Sequence, residues 1–181
     1  MVKRKTFRSQ SFPDLFDAFL TFTGGAIHIR STDTAIVAIE FLDRDFPGMA
    51  RPGRLMIVDD APVVLQDACR QLREYFDGQR RDFDLQLEIL EGSDFQRRVW
   101  QSLRQIPYGA TWSYEELAEK IARPEQTPRQ LARAVGAACA ANPLPIVIPC
   151  HRVIGKNGRL VGFAGGVELK AYLLNHEMLG I

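Results

Sequence analysis

Residues 143–154 read Pro-Leu-Pro-Ile-Val-Ile-Pro-Cys-His-Arg-Val-Ile. In this segment an apolar run between prolines leads into a turn that contains the adjacent pair Cys150 and His151. A free thiol has a pKa of about 8.5, and a neighbouring base or cation raises its thiolate fraction. Most buried cysteines are inert apolar residues, and an adjacent Cys-His pair is more often accidental than catalytic. The segment therefore indicates a nucleophile only if other features of the chain agree.

A histidine that acts as a base in a catalytic triad is oriented by a third group. Glu177 is the best candidate for that group, because it lies on the last predicted helix, which we expect to pack back on the core. Glu168 competes with it from a different turn of the same helix. The other histidines and cysteines are interpreted as packing or surface residues: His28, His176, Cys69 and Cys139.

Three helix starts follow one another in the second half of the chain. Ser or Thr followed three residues later by Gln or Glu is the capping-box pattern. It occurs at positions 93–96, 113–116 and 127–130. The third helix is predicted to run to about Ala141 and to stop before Pro143. Two helices joined by a short linker after a leading helix suggest a helix-turn-helix module.

The third of these helices has two distinct faces. Leu131, Val135 and Ala138 are expected to pack inward. The opposite face carries small residues around a single arginine: Arg133, Gly136, Ala137 and Ala140. Such a face suits tight helix packing, and it equally suits close approach to DNA, where an arginine can fill the gap left by an extruded base. The spacing alone does not separate these two interpretations.

Residues 1–91 are predicted to form an N-terminal domain and residues 92–181 a C-terminal domain. The runs 26–29 and 35–41 are strand-like, and a helix-spaced apolar pattern follows, with Gly78 as its stop: Leu65, Ala68, Cys69, Leu72 and Phe76. Alternation over residues 83–89 predicts a half-buried strand. The first half therefore reads as α+β, and it shows no chemistry of its own.

The sequence after the Cys-His pair is rich in turns. Residues 155–158, Gly-Lys-Asn-Gly, predict the tight turn of a small hairpin between 153–154 and 160–161. Residues 162–166, Gly-Phe-Ala-Gly-Gly, predict a flexible loop that lets the backbone approach a neighbour closely.

The composition is that of an ordinary globular protein, with 46% apolar and 25% charged residues in a chain of 181. Three cysteines without a CxxC pair argue against a disulfide framework and a structural zinc site. The basic segment 1–12 has no apolar signal core, and no run is long enough for a membrane span, so we expect a cytoplasmic protein.

The charges are distributed unevenly along the chain. Residues 1–93 contain 12 Lys and Arg against 15 Asp and Glu, whereas residues 94–181 contain 11 against 7. The basic second half is a mild indication of a polyanionic partner, although a solvated surface is the simpler explanation of charge alone.

The segment Pro149-Cys150-His151-Arg152-Val153-Ile154 resembles the active-site signature of the O6-alkylguanine-DNA alkyltransferases, also called methylated-DNA–protein-cysteine methyltransferases. Other segments match in the family's order and spacing: Ser113-Tyr114, Arg133-Ala134-Val135-Gly136, Asn142-Pro143, residues 162–166 and Leu173-Leu174-Asn175-His176-Glu177. The resemblance covers residues 85–181 well and residues 1–84 only in outline. The combined pattern is specific, and it outweighs the accidental interpretation of the Cys-His pair.

The resemblance implies a fold and a set of catalytic roles. The first half would be a small ribonuclease-H-like α/β domain, and the second a winged helix-turn-helix domain. Cys150 would be the nucleophile and permanent alkyl acceptor, His151 its base through a water, and Glu177 the group that orients His151. Asn142 would tie the turn before the active site to the preceding helix. Tyr114 would contact the flipped guanine and help to rotate the DNA backbone.

The resemblance also implies how the damaged base is bound. Arg133 would replace the extruded base in the stack, on the helix face formed with Gly136, Ala137 and Ala140. The alkylguanine pocket would be formed by Val153, Phe163, Ala164, Gly165 and Lys170, with the carbonyls of Cys150 and Val153 reading the exocyclic amine. Phe163 stands where the family often has Tyr, and Ala164 where some members have Ser. These departures imply a pocket more open to larger alkyl groups.

The implied partner is double-stranded DNA that contains O6-alkylguanine, and the implied protein is a monomer that needs no metal, no organic cofactor and no obligate protein partner. The main alternative is a non-enzymatic alkyltransferase-like protein, which binds alkylated DNA on the same scaffold but lacks the acceptor cysteine. Cys150 at the acceptor position speaks against it. A Cys-His hydrolase would lack an evident oxyanion-hole motif, and a fused transcription regulator would need a four-cysteine zinc domain that this sequence does not contain.

Overall fold

Four strands of the first half form one antiparallel sheet in the spatial order β3-β2-β1-β4. The structure is a computed structural model that describes residues 15–42 and 52–180, so the segment 1–12 that bears on export lies outside the described residues. The strands are β1 Phe16–Phe22, β2 Gly25–Ser31, β3 Ile36–Phe41 and β4 Leu55–Ile57. The two predicted strand regions, 26–29 and 35–41, are thus confirmed as β2 and β3.

Helix α1, Val63–Phe76, packs its apolar stripe on one face of this sheet. Leu65, Ala68 and Leu72 are completely buried there, as their spacing predicts. The paired strand residues Leu20 and Ile27 supply the opposing surface, and both are buried. The predicted helix is therefore confirmed, and its inner stripe provides the core of the first half.

The strand predicted over residues 83–89 is wrong. The segment joins the sheet through a single parallel bridge between Ile36 and Leu87. That bridge consists of hydrogen bonds from Ile36 N to Gln86 O (2.8 Å) and from Glu88 N to Ile36 O (3.0 Å). The apolar residues of the segment do pack against the core. The segment is extended and partly buries every second side chain, which explains the alternation of apolar and polar residues in the sequence. Within the described part of the chain, it forms no ladder of hydrogen bonds with a neighbouring strand.

The second half is built on four helices: α2 Asp94–Leu103, α3 Tyr114–Ile121, α4 Pro128–Ala140 and α5 Gly166–Leu179. Complete capping boxes at Ser93 and Ser113 start α2 and α3, as predicted. Thr127 occupies the N-cap of α4, but its side chain makes no capping hydrogen bond, so the third capping box is wrong. Pro128 at the first helical position already sets the required backbone angle.

Helices α3 and α4 pack against each other as the helix pair of the predicted module, and α2 packs against both. The predicted inner face of α4 is correct, because Val135 and Ala138 are buried and Leu131 is half-buried. Trp100 of α2 fixes the pair by donating its indole N–H to Ala138 O at 2.8 Å.

The hairpin predicted around residues 155–158 is also wrong. Strand β6, Val153–Ile154, pairs in parallel with β5, Trp112–Ser113, and not with residues 160–161. The turn itself forms, because Gly155 N donates to Arg159 O at 2.7 Å and Asn157 adopts the left-handed conformation. The prediction of a turn at residues 155–158 is thus confirmed, but the predicted pairing of residues 153–154 with residues 160–161 is wrong. No helix within the described ranges is long and apolar enough to cross a membrane.

The difference between Ser93 and Thr127 gives a test of the helix starts. Ser93→Ala removes a capping side chain that accepts the amide of Gln96, so we expect the free energy of unfolding to fall by about 1 kcal/mol. Thr127→Ala is the matched control, because no capping bond is lost, and its cost should stay below about 0.5 kcal/mol. Urea unfolding of both variants measures the difference, and equal losses would contradict the assignment.

Candidate active site

The segment before Cys150 is a buried, tightly braced turn. Every residue from 144 to 150 is buried, and Ile146 has a φ of 74°, in the left-handed region that β-branched residues avoid. Asn142 braces the turn from both sides, because its Nδ2 donates to Ile148 O at 2.7 Å and its Oδ1 accepts from Leu144 N at 3.1 Å. Asn142 thus links the beginning and the end of the turn that leads to Cys150.

Cys150 opens a 3₁₀ turn, Cys150–Arg152, and is 5% exposed. Burial raises the pKa of its thiol. A hydrogen bond with the Asn142 side chain and the positive charge of Lys170 act in the opposite direction and favour the thiolate. The thiol therefore lies in a buried site that already contains groups able to stabilise its anion.

His151, the residue that follows Cys150, is completely buried, and its Nε2 lies 2.7 Å from Glu177 Oε1. Burial lowers the pKa of the imidazole, which keeps the ring neutral near pH 7. With Glu177 ionised, the proton of the neutral ring is assigned to Nε2, so Nδ1 has a lone pair to offer. Nδ1 is buried and makes no hydrogen bond within the described part of the chain.

Glu177, rather than its competitor Glu168, is the carboxylate that reaches His151. It lies buried on α5, whereas Glu168 is exposed on the first turn of that helix. Arg152 donates two hydrogen bonds to the Glu177 carboxylate, from Nε to Oε2 at 2.8 Å and from Nη2 to Oε1 at 3.0 Å. The backbone N–H of Gly109 also donates to Oε2, at 3.1 Å. Burial alone would raise the pKa of Glu177, but His151 and Arg152 hold it well below its ordinary value.

Arg152 is the site residue that the sequence analysis missed. It is 6% exposed, and besides Glu177 it donates to Ile106 O at 2.7 Å. Its place directly after His151 was the available signal, because an arginine next to buried residues needs a carboxylate partner.

Tyr114 and Lys170 hold the same loop carbonyl. The hydroxyl of Tyr114 donates to Val161 O at 3.1 Å, and Lys170 Nζ donates to the same oxygen at 2.9 Å. Burial raises the pKa of Tyr114 to about 12 and lowers that of Lys170. Lys170 Nζ also lies 5.6 Å from the centroid of the Tyr114 ring. The two predicted residues are thus brought together next to Cys150, with whose thiol Lys170 interacts electrostatically.

The predicted pocket loop packs against the first half of the chain. The ring of Phe163 lies 5.4 Å from the ring of Phe41 on β3. A Cβ on Gly165 would lie 2.5 Å from Leu169 and 3.0 Å from Phe41, so any larger residue there would require the Leu169 side chain to move. Ala164 is exposed in the same loop, and Val153 is buried in β6.

Apart from Tyr114 at the start of α3, the residues predicted to meet DNA lie on α4. Arg133, Ala137 and Ala140 are exposed on one face of the helix, and Gly136 is half-buried. A Cβ on Gly136 would lie 3.7 Å from the ring of Tyr114, which makes this glycine the point where α4 approaches the start of α3. Among the described residues, no cluster of three His, Cys, Asp or Glu side chains is arranged to hold a metal ion.

Two family models match the chain, and together they cover most of it. Residues 15–89 match the ribonuclease-like domain of 6-O-methylguanine DNA methyltransferase, and residues 94–179 match its DNA binding domain. The chain belongs to this family. The resemblance noted in the sequence is thereby confirmed, as is the fold class: a mixed α+β protein with a ribonuclease-like domain followed by a DNA-binding domain.

Individual relatives agree with the family models. The methylated-DNA–protein-cysteine methyltransferase of Mycolicibacterium paratuberculosis is 41% identical over 84% of this chain and 86% of its own length. The inducible enzyme of that name from Bacillus subtilis is 39% identical over 91% of each chain. The Mycobacterium tuberculosis O6-methylguanine methyltransferase superposes with a TM-score of 0.74 at 34% identity, covering 93% of this chain and 95% of that one. The Mycobacterium tuberculosis protein OGT in complex with DNA gives a TM-score of 0.73 at 35% identity, covering 90% of this chain and 92% of that one.

The lowered pKa of the buried Glu177 predicts a pH-dependent contribution to the stability of this family member. Glu177→Gln leaves the Arg152 guanidinium buried without its carboxylate, so we expect a loss of about 3 kcal/mol in unfolding free energy at pH 7. Because the pKa of Glu177 is lower in the folded state than its unfolded value of about 4.3, the carboxylate's contribution is complete above that pH. As the pH falls below about 4 towards the folded-state pKa, the difference between the two proteins should shrink.

Urea unfolding of both proteins between pH 7 and pH 3 measures this difference. The control is Glu119→Gln on α3, an exposed carboxylate whose loss should cost less than about 0.5 kcal/mol at every pH. A loss for Glu177→Gln as small as that of the control would refute the pairing.

Proposed function

We propose that this protein repairs DNA by transferring the alkyl group of O6-alkylguanine, mainly O6-methylguanine, irreversibly to its own Cys150. The observation that carries the proposal is the contact between Glu177 and buried His151, the residue that follows Cys150, in a member of the 6-O-methylguanine DNA methyltransferase family. Relatives of up to 50% identity are named methylated-DNA–protein-cysteine methyltransferases, which favours this function over a non-enzymatic alkylated-DNA-binding protein.

The first step is ionisation of the thiol. His151 donates a hydrogen bond from Nε2 to Glu177, so its Nδ1 accepts the proton of Cys150 through a water. Asn142 and Lys170 stabilise the thiolate that remains. Glu177 does not take the proton itself, because His151 and Arg152 keep its pKa low; it stabilises the imidazolium that forms.

The second step is displacement at the alkyl carbon. The thiolate of Cys150 forms the new carbon–sulfur bond while the bond between carbon and guanine O6 breaks, and the electron pair of that bond passes to guanine. A proton from the Tyr114 hydroxyl can neutralise the leaving guanine, because the raised pKa of Tyr114 keeps this group protonated beforehand. Tyr114 then regains a proton from the His151 imidazolium through water, so the proton lost by the thiol ends on guanine. The product is a thioether without an easy reverse reaction. Each molecule therefore reacts once, and the chemistry needs no metal or organic cofactor.

The damaged base must first leave the duplex, at a cost of a few kcal/mol. The exposed face of α4 suits this step, because Ala137 and Ala140 let the helix approach the DNA backbone closely while Arg133 fills the gap in the base stack. The half-buried Gly136 keeps α4 near Tyr114, so base extrusion and proton transfer act in one place.

The pocket would hold the alkylguanine between β6 and the loop that contains Phe163, Ala164 and Gly165. The carbonyls of Cys150 and Val153 would accept hydrogen bonds from the exocyclic amine of guanine. The Cys150 carbonyl already accepts a hydrogen bond from the Val153 N–H, but its second lone pair leaves it able to accept another. Ala164 is small and exposed, which suits alkyl groups larger than methyl.

DNA is the partner, since the second half of the chain matches a DNA binding domain. We propose further that the chain divides into domains at residues 1–91 and 92–181. The protein would act in the cytoplasm as a monomer on duplex DNA, without an obligate protein partner.

Intact mass after incubation with DNA containing O6-methylguanine tests the acceptor. We expect one added methyl group per molecule and no further turnover, because a thioether does not release its alkyl group. Cys150→Ala should bind the DNA and gain no mass. Cys69→Ala, a change at a buried cysteine of α1 whose pKa burial raises to about 12, should still gain one methyl group. Turnover beyond one equivalent, or wild-type binding without an adduct, would refute the proposal.

Comparison of two substrates tests Arg133. Arg133→Ala should slow repair of duplex DNA by about tenfold, equivalent to about 1.4 kcal/mol, because the extruded base loses its replacement in the stack. Reaction with a free O6-alkylguanine base, which needs no extrusion, should change by less than about twofold. The control is Arg104→Ala, at the exposed end of α2, which should leave both rates unchanged. Equal losses on both substrates would overturn the role given to Arg133.

A further inference from the structure

One contact joins the first half of the chain to the proposed catalytic residues. Tyr75, near the end of α1, donates its hydroxyl proton to Glu177 Oε1 at 2.8 Å. Glu177 Oε1 is the same oxygen that lies 2.7 Å from His151 Nε2. Among the described residues, the other donors to the Glu177 carboxylate, at Gly109, His151 and Arg152, all belong to the second half.

Tyr75 is held in this place from several directions. It is completely buried, and rings of the second half and of the segment after α1 surround it: His176 at 5.1 Å, Phe83 at 5.5 Å and Tyr108 at 6.2 Å between centroids. Its backbone carbonyl accepts a hydrogen bond from His176 Nε2 at 2.7 Å. Side chain and main chain of one residue thus bind Glu177 and its neighbour His176, so the end of α5 cannot shift without breaking both bonds.

The hydroxyl can act only as a donor towards Glu177. Burial and the nearby carboxylate raise the pKa of Tyr75 far above its ordinary value, so the group stays protonated at every pH at which the protein works. Oε1 is shared by three donors, Tyr75, His151 and Arg152, and each of them contributes to its direction. Without Tyr75, Oε1 would lose one of its three donors and would carry more negative charge towards His151, while Arg152 would still hold both carboxylate oxygens.

We propose that Tyr75 is a positioning residue for alkyl transfer: its hydroxyl fixes the Glu177 oxygen to which His151 is hydrogen-bonded, and thereby fixes which nitrogen of the imidazole receives the thiol proton. The ribonuclease-like half of the chain therefore contributes to the reaction through a defined atom, in addition to supporting the fold. This inference rests on the proposed function, because it assigns Tyr75 a part in that reaction.

Tyr75→Phe removes the hydroxyl and keeps the ring. The rate constant of alkyl transfer should fall about tenfold or more, as is typical when a group that orients a reactive histidine is removed. The inflection on the acid side of the rate profile should move to higher pH by roughly half to one unit, because Oε1 regains negative charge and stabilises the imidazolium. The other charged groups that act on His151, which are Glu177, Arg152 and Lys170, are unchanged in this variant.

Tyr172→Phe is the matched control. Tyr172 lies on α5, and its hydroxyl also reaches across to the first half, where it hydrogen-bonds the side chain of Thr23. This variant loses one hydroxyl between the same two halves without touching Glu177. A role limited to holding the halves together would affect both variants alike and would leave the pH inflection in place, and either result would overturn the inference.

A second measurement does not depend on activity. Nitrogen-15 NMR of the His151 ring reports which nitrogen carries the proton and at what pH the ring takes up a second one. In the wild-type protein we expect the proton on Nε2, and in Tyr75→Phe a mixture of tautomers or a higher ring pKa. An unchanged His151 spectrum in the variant would overturn the inference even if Cys150 is alkylated. Absence of an adduct in the wild-type protein would instead refute the proposed function, so the two failures are distinguishable.

Discussion

A single buried negative charge, the carboxylate of Glu177, organises this molecule. An ionised carboxylate removed from water is costly unless donors replace its hydration. Here five hydrogen bonds from four residues do so, contributed by α1, by the chain after α2 and by the turn that begins at Cys150. Since those segments are far apart in sequence, satisfying one carboxylate requires most of the tertiary structure to be assembled.

The same contacts connect stability with chemistry. Arg152 compensates the charge of Glu177, which leaves the carboxylate able to orient His151 without becoming the final proton acceptor. The turn before Cys150 is held separately, through the two hydrogen bonds of Asn142. A thiol and a neutral imidazole are thus presented by a rigid surround, so little reorganisation remains for the moment of reaction. The high density of buried contacts is therefore part of how the site is preorganised.

Local signals in the sequence were sufficient wherever the determining partner was close. The capping boxes at Ser93 and Ser113 and the inner face of α4 were predicted correctly, because each depends on residues within one or two turns. Glu177 was named as the best partner of His151 from its place on the last predicted helix, and the family resemblance implied the same pairing. The contact between Tyr75 and Glu177 could not be predicted, because it joins residues 102 positions apart and a buried tyrosine has the same sequence signature as any apolar helix residue.

The errors at residues 83–89 and 160–161 have a related cause. Alternation records which side chains are buried, but it does not say whether a neighbouring strand accepts the backbone hydrogen bonds. In the first case Leu87 alone bridges to Ile36, and in the second Trp112 takes the place beside Val153 that the hairpin partner was expected to occupy. Pairing is a property of the assembled fold, so it was fixed by elements outside each segment.

The close packing around the sulfur of Cys150 also affects the protein once repair is complete. Cys150 is 5% exposed and follows a braced turn, so an alkyl group added to its sulfur must be accommodated among buried residues. Overpacking of a tight interior typically lowers the free energy of unfolding by about 1–3 kcal/mol. Here the turn or the helices that enclose it would have to move to make room. The alkylated protein is therefore expected to be less stable than the unreacted protein, so a completed repair changes the free energy of unfolding as well as the covalent structure.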